Sequence, residues 1–232
     1  NTGTITCVTT SEQVVSTTTT SPATYTWSGP GIVGAANTAS INVNLGGVYT
    51  LTLTNTLNGC SSIVTNSVTI DNAAVTPTTT SSTIITCTNP TSTLTTNAGA
   101  GTFSYNWSGP GIVGTNTLST ATSSLGGVYN VTVTNTTNGC VGIGTISVAS
   151  NTTVPASVTV TPSTFTLSCA TPTTQLVVGS TTGGTTYSWT APGTGNILSG
   201  ATTPTATISG PGVYSVVATA TNGCSAAVTT AT

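Results

Sequence analysis

Apolar and hydroxyl side chains alternate strictly along Tyr49-Thr50-Leu51-Thr52-Leu53-Thr54, a period of two residues. Tyr129, Val131 and Val133 repeat the pattern, as do Tyr214, Val216 and Ala218. Such segments are predicted to be half-buried antiparallel strands, with Thr on the wet face and aromatic or β-branched residues inside. Asn-Gly follows each of them, at 58–59, 138–139 and 222–223. That pair predicts a type I′ hairpin into a further strand, over 63–70 in the first instance and 143–148 in the second. Upstream, Tyr25-Thr26-Trp27 reads as another strand with both rings on one face. No segment shows the 3.6-residue period of an amphipathic helix.

The pattern is repeated because the sequence is. Residues 27–34 (WSGPGIVG) recur unchanged at 107–114, and 45–49 (LGGVY) recur at 125–129. A looser third version carries Trp189-Thr190-Ala191-Pro192-Gly193 and Gly210-Pro211-Gly212-Val213-Tyr214. Each repeat closes on Asn-Gly-Cys, at Cys60, Cys140 and Cys224. The first Cys precedes the Trp by 20 positions every time: 7 to 27, 87 to 107, 169 to 189. A period near 80 is that of a small domain rather than a solenoid coil. The predicted architecture is all-β: three tandem Ig-like β-sandwich domains of about 78 residues each, at 1–72, 73–154 and 155–232. The junctions, at 71–77 and 151–162, are too short and too poor in Gly and Ser to be floppy linkers.

Composition then narrows the function. The 232 residues include no Lys, Arg or His and two acids, Glu12 and Asp71, while Thr fills 63 positions. Phosphate neutralisation needs cations, so nucleic acid is not an expected partner. General acid–base and nucleophilic triads need His or closely paired carboxylates. Metal sites lack their ligands, and neither a metal nor a cofactor is expected. The chain reads as a non-enzyme. An apolar content of 36% with almost no charge is not the signature of disorder. No window of about 18 apolar residues predicts membrane insertion, and no leader-like stretch opens the sequence at Asn1.

Six Cys without His point to disulfides and an extracellular or cell-surface setting. Six allow 15 connectivities, and the repeat makes one economical: Cys7–Cys60, Cys87–Cys140 and Cys169–Cys224, one bridge inside each domain.

The run of first Cys, Tyr25-x-Trp27-Ser-Gly-Pro, Gly46-Gly47-x-Tyr49 and Asn-Gly-Cys resembles the Ig-like and PKD-like repeats of very large bacterial surface proteins. Bacteroidetes-type organisms carry such tandem repeats in extracellular adhesins and surface filament proteins. The resemblance covers all three repeats and implies a structural and adhesive role. PKD-type repeats often bear acids after the Trp, where this chain has Ser28-Gly29-Pro30 and Ser108-Gly109-Pro110. Antibody-type domains place Tyr two residues before the second Cys; here the gap is 10 or 11.

Several constellations compete with that bland reading. Trp27, Trp107 and Trp189 could be sugar platforms of a carbohydrate-binding module. Their phase with Tyr25, Tyr105 and Tyr187 favours a core role, shared with Tyr49, Tyr129 and Tyr214. Thr50, Thr52 and Thr54 on one face suggest an ice-binding plane, against which stands the need of any uncharged wet face for Thr. Glu12 and Asp71 read as surface residues with no counterparts in the other repeats. Asn130, Asn135 and Asn151 open glycosylation sequons, and Asn106 opens one in mid-strand, so glycans are candidate partners. The expected partner is the chain itself. The first repeat lacks a match for 76–83 and should present an unpaired sheet edge, favouring head-to-tail assembly.

Overall fold

The structure is a computed structural model describing residues 3–18 and 21–230. The first repeat contributes β1 (Thr4–Thr6), β2 (Glu12–Val15), β3 (Ala23–Ser28), β4 (Ile32–Val33), β5 (Ser40–Val43), β6 (Gly47–Asn55) and β7 (Ser61–Asp71). They form two sheets, of order β1-β7-β6-β3 and β2-β5-β4. Trp27, Tyr49, Leu51 and Val68 from one sheet meet Val14, Ile41 and Val43 from the other in a buried core. This is the sandwich that alternating patterns demand, since each sheet has one apolar face to cover.

The second repeat adds β8 (Thr78–Ser81), β9 (Ile85–Thr86), β10 (Ser92–Asn97), β11 (Phe103–Ser108), β12 (Ile112–Val113), β13 (Thr120–Ser123), β14 (Gly127–Asn135), β15 (Val141–Val148) and β16 (Ser150–Asn151). Its sheets run β12-β13-β10-β8 and β11-β14-β15, with β9 beside β16. The third adds β17 (Thr159–Thr161), β18 (Thr173–Gly179), β19 (Thr186–Thr190), β20 (Asn196–Ser199), β21 (Thr205–Ser209), β22 (Ser215–Thr219) and β23 (Ser225–Thr229), ordered β17-β18-β21-β20 and β19-β22-β23. Each repeat has its own apolar core, centred on Trp27, Trp107 and Trp189. Among the described residues there is no helix, so none is long and apolar enough to cross a membrane.

The recurring motif is a lock between two turns. Tyr49 Oη lies 2.5 Å from both Pro30 O and Leu45 O, so its phenol bonds the two turns together. The Tyr129 hydroxyl binds Pro110 O and Leu125 O in the same way. Gly29 is required because a Cβ there would lie 2.5 Å from the Tyr49 ring. WSGPG and LGGVY are therefore conserved between repeats as two halves of one contact.

The Asn-Gly hairpins differ from the type I′ expectation. Thr54 pairs with Ser61, and Asn55 N donates to Cys60 O at 2.9 Å, leaving a four-residue loop. Gly59 has φ of +71°, whereas no positive φ occurs at Asn58. Asn58 instead turns its side chain inward, and Cys60 N donates to its Oδ1 at 3.0 Å. The Asn serves as a side-chain brace, not as a left-handed turn residue.

Candidate functional site: the junctions and the two array ends

The position of each Cys follows from the first strand. β1 lies parallel to β7, with Thr6 opposite Asp71, so Cys7 emerges beside the last residue of β7. Cys60 sits before the first residue of that same 11-residue strand. At about 3.3 Å per residue the two are roughly 36 Å apart, and a disulfide needs Cα atoms within about 7 Å. Pairing within the first repeat is therefore excluded, and the observed bridges correct all three expected ones, Cys7–Cys60, Cys87–Cys140 and Cys169–Cys224. Cys7 bonds Cys140, and Cys87 bonds Cys224, each with Cα atoms 5.0 Å apart. The first Cys of one repeat thus holds the closing Cys of the next. Cys60 and Cys169 are free and exposed.

Each bridge sits in a repeated polar setting. Cys7 N donates to Asn138 O and Cys87 N to Asn222 O, both at 3.2 Å. Asn138 Nδ2 donates to Asp71 Oδ1 at 2.9 Å. At the second junction Asn222 Nδ2 reaches Asn151 Oδ1 and Thr153 O, each at 2.9 Å. Asp71 and Asn151, one repeat apart, hold equivalent places as acceptors for the incoming hairpin. The sequence predicts Asp71 at the surface, whereas in the structure it is half-buried at the junction. Its 80-residue offset from Asn151 was the available signal for this role. A Cβ on Gly139 would strike Val8, and one on Gly223 would strike Thr88, so both hairpin glycines are seated under the partner turn. Cys140 and Cys224 are each 1% exposed as a result.

The first and third repeats carry clefts where the second is filled. In the second repeat β8 pairs with β10, and Thr79 Oγ1 donates to Thr145 O at 2.9 Å. The first repeat has no counterpart of β8 among its described residues, and β2 stands at a sheet edge. A groove of about 490 Å³ lies there, lined by Val15, Trp27, Leu51, Leu53, Ser62 and Val64. In the third repeat a cleft of about 320 Å³ separates 165–167 from Pro211 and Gly212. In the second repeat Ser150 occupies the corresponding place, packed against Gly126.

The other candidates fall into ordinary roles. The three Trp rings are buried, and their Nε1 atoms donate to Thr38 O (2.9 Å), Leu118 O (3.1 Å) and Thr203 O (3.0 Å). Rings so placed cannot stack on a sugar. The outer Thr face of β6 loses its regularity along the chain. Thr50 and Thr52 correspond to Asn130 and Thr132, then to Ser215 and Val217. Asn106 and Asn130 are exposed, Asn135 is half-buried in the hairpin, and Asn151 lies at the junction.

No family model matches the chain, and no curated protein matches it in sequence. Among solved structures it is similar to Drosophila N-cadherin EC1-4, at 12% identity over 99% of this chain and 72% of that one, with a TM-score of 0.38. Three N-terminal domains of the bacteriophage RB49 outer capsid protein Hoc give 16% identity, 90% and 86% coverage and 0.34. The human desmocollin-1 ectodomain gives 8% and 0.29, with 90% of this chain matched. The chain spans about half (51%) of that ectodomain. With TM-scores below 0.5, none of these likenesses bears on what the chain does.

Proposed function

We propose that the chain is a structural segment of an extracellular filament or large surface adhesin. Its three domains, at 1–72, 73–154 and 155–232, are of the Ig-like and PKD-like repeat type and join head to tail. The observation that carries this reading is the pair of bridges from each repeat to the next. The disulfides support an oxidising compartment. Bridges across junctions fix how repeats follow one another, which matters to a load-bearing array and not to isolated binding modules.

The bridges also limit extension. The shortest covalent path runs from Asn1 to Cys7, across to Cys140, back to Cys87, across to Cys224 and on to Thr232. That is about 67 residue steps, against 231 along the backbone. At about 3.6 Å per residue the unfolded chain reaches about 240 Å rather than about 830 Å. In the first repeat β1 lies parallel to β7, so in the reduced chain tension shears their hydrogen bonds together.

Single-molecule stretching tests this reading. The oxidised chain should stop near 240 Å, and reduction should lengthen it about 3.4-fold. Cys60→Ser should leave the oxidised limit unchanged, because Cys60 is free. An oxidised chain that extends as far as the reduced one would contradict a load-limiting role.

A further inference from the structure

Two half-junctions, one in the first repeat and one in the third, are already shaped. Around Cys7, Thr6 N donates to Thr9 O at 2.9 Å, and Thr9 N donates to Thr6 Oγ1 at 3.0 Å. Around Cys87 the same two bonds join Thr86 and Asn89. Around the free Cys169 they join Ser168 and Thr171, both at 3.1 Å. The turn that presents the first Cys is therefore formed in the third repeat without a partner sulfur.

The receiving half is equally complete. In the bridged hairpins Gly139 N donates to Asn135 O and Cys140 N to Asn138 Oδ1, and, in a loop one residue shorter, Gly223 N donates to Ala220 O and Cys224 N to Asn222 Oδ1. In the free hairpin Gly59 N donates to Asn55 O at 2.9 Å and Cys60 N to Asn58 Oδ1 at 3.0 Å. What differs is the cover. A Cβ on Gly59 would meet nothing within 4 Å, whereas Gly139 and Gly223 lie under Val8 and Thr88. Asn58 and Cys60 are exposed, and a cleft of about 220 Å³ opens beside the thiol. The residue after Cys169 is Ala170, which is smaller than Val8 or Thr88 and fits the same seat over a glycine.

We propose that Cys169 of one copy of this chain and Cys60 of a second copy form the same cross-repeat disulfide, linking chains head to tail. The inference rests on the head-to-tail reading above and adds a covalent joint to it. A second copy is the occupant because one molecule carries both complementary halves, the receiving hairpin in the first repeat and the presenting turn in the third, so the contact is heterologous and does not close. The oxidant is a small-molecule or protein disulfide. The Cys169 thiolate attacks one sulfur of that disulfide, giving a mixed disulfide and releasing one thiolate. The Cys60 thiolate of the second copy then attacks Cys169 Sγ, the new S–S bond forms and the second thiolate leaves. The oxidant is reduced to two thiols, which take up the two protons the cysteines lose.

The test uses the whole chain in a buffer of oxidised and reduced glutathione, followed by alkylation, non-reducing electrophoresis and mapping of linked peptides. A ladder of multimers is expected, with the Cys169–Cys60 peptide exceeding the Cys60–Cys60 and Cys169–Cys169 peptides by about tenfold or more. Cys60→Ser and Cys169→Ser should each abolish the ladder alone, and an equal mixture of the two should give one dimer joined through the intact cysteines. Linked peptides in random proportion, or a monomer capped with glutathione at both cysteines, would overturn the proposal. The Cys60→Ser/Cys169→Ser double variant separates the two ideas. If it still associates with rising concentration in sedimentation while wild type fails to link, the covalent joint falls and the head-to-tail reading stands. If neither associates, both fall.

Discussion

The first and second repeats share their longest motifs word for word, yet their surroundings differ. Asn138 is 2% exposed and braces Cys140 while donating to Asp71, whereas Asn58 makes the same brace in the open. Gly142 and Gly144 lie beneath Val75 and Thr79, whereas their counterparts Ser62 and Val64 floor an open groove. Hairpin geometry therefore belongs to the repeat, and burial belongs to its neighbour. Local sequence shapes the end of a repeat, and the adjoining repeat decides whether that end is sealed.

Exchanging the floor residues should give the largest asymmetry. In Gly144→Val a new Cβ would lie 2.7 Å from Thr79 Cγ2 and 3.1 Å from Val131. Overpacking of that kind costs about 1–3 kcal/mol. The reverse exchange, Val64→Gly, faces open space and should cost less than about 1 kcal/mol. Urea unfolding followed by Trp fluorescence compares them, and equal costs would erase the contrast between the repeats.

A difference of similar size is expected at the hairpin Asn. Asn138→Ala strips a buried amide N–H of its acceptor and Asp71 of its donor, a loss of about 1–3 kcal/mol. Asn58→Ala leaves the Cys60 N–H to water and should stay within about 0.5 kcal/mol. Hydrogen exchange at the Cys140 and Cys60 amides reports the two sites separately.

The smallest effect concerns pH. Burial pushes the Tyr49 and Tyr214 phenols above the ordinary value of 10.0. Folding then favours the neutral phenol, a contribution fully present below the unfolded value and lost as pH rises through the folded one. Stability should be level from about pH 5 to 9 and decline above about pH 10. Tyr49→Phe should flatten that alkaline decline for the first repeat, as melting curves across pH would show.

Much of this was legible in the chain. Alternation at Tyr49–Thr54 and at Tyr129–Val133 is a local signal, and it located the central strands and the buried Tyr and Trp rings. The disulfide pairing was not legible, because the spacing of the six Cys is the same whichever partner each takes. What decides it is the parallel placement of β1 against β7, a long-range pairing that leaves no periodic trace. The roles of Asp71, Asn138 and Asn222 were hidden for the same reason, since their partners lie 67 to 71 positions away.

The two acids offer the most direct measurement of the central claim, that adjacent repeats are stapled to each other. A protease specific for acidic residues cuts after Glu12 and Asp71, giving peptides 1–12, 13–71 and 72–232. The chain is first alkylated, then unfolded and digested without reduction, and the masses are read. Bridging across the junctions predicts that 1–12 stays attached to 72–232 and that 13–71 leaves alone, alkylated at Cys60. Release of 72–232 alone, with 1–12 bound to 13–71, would contradict it.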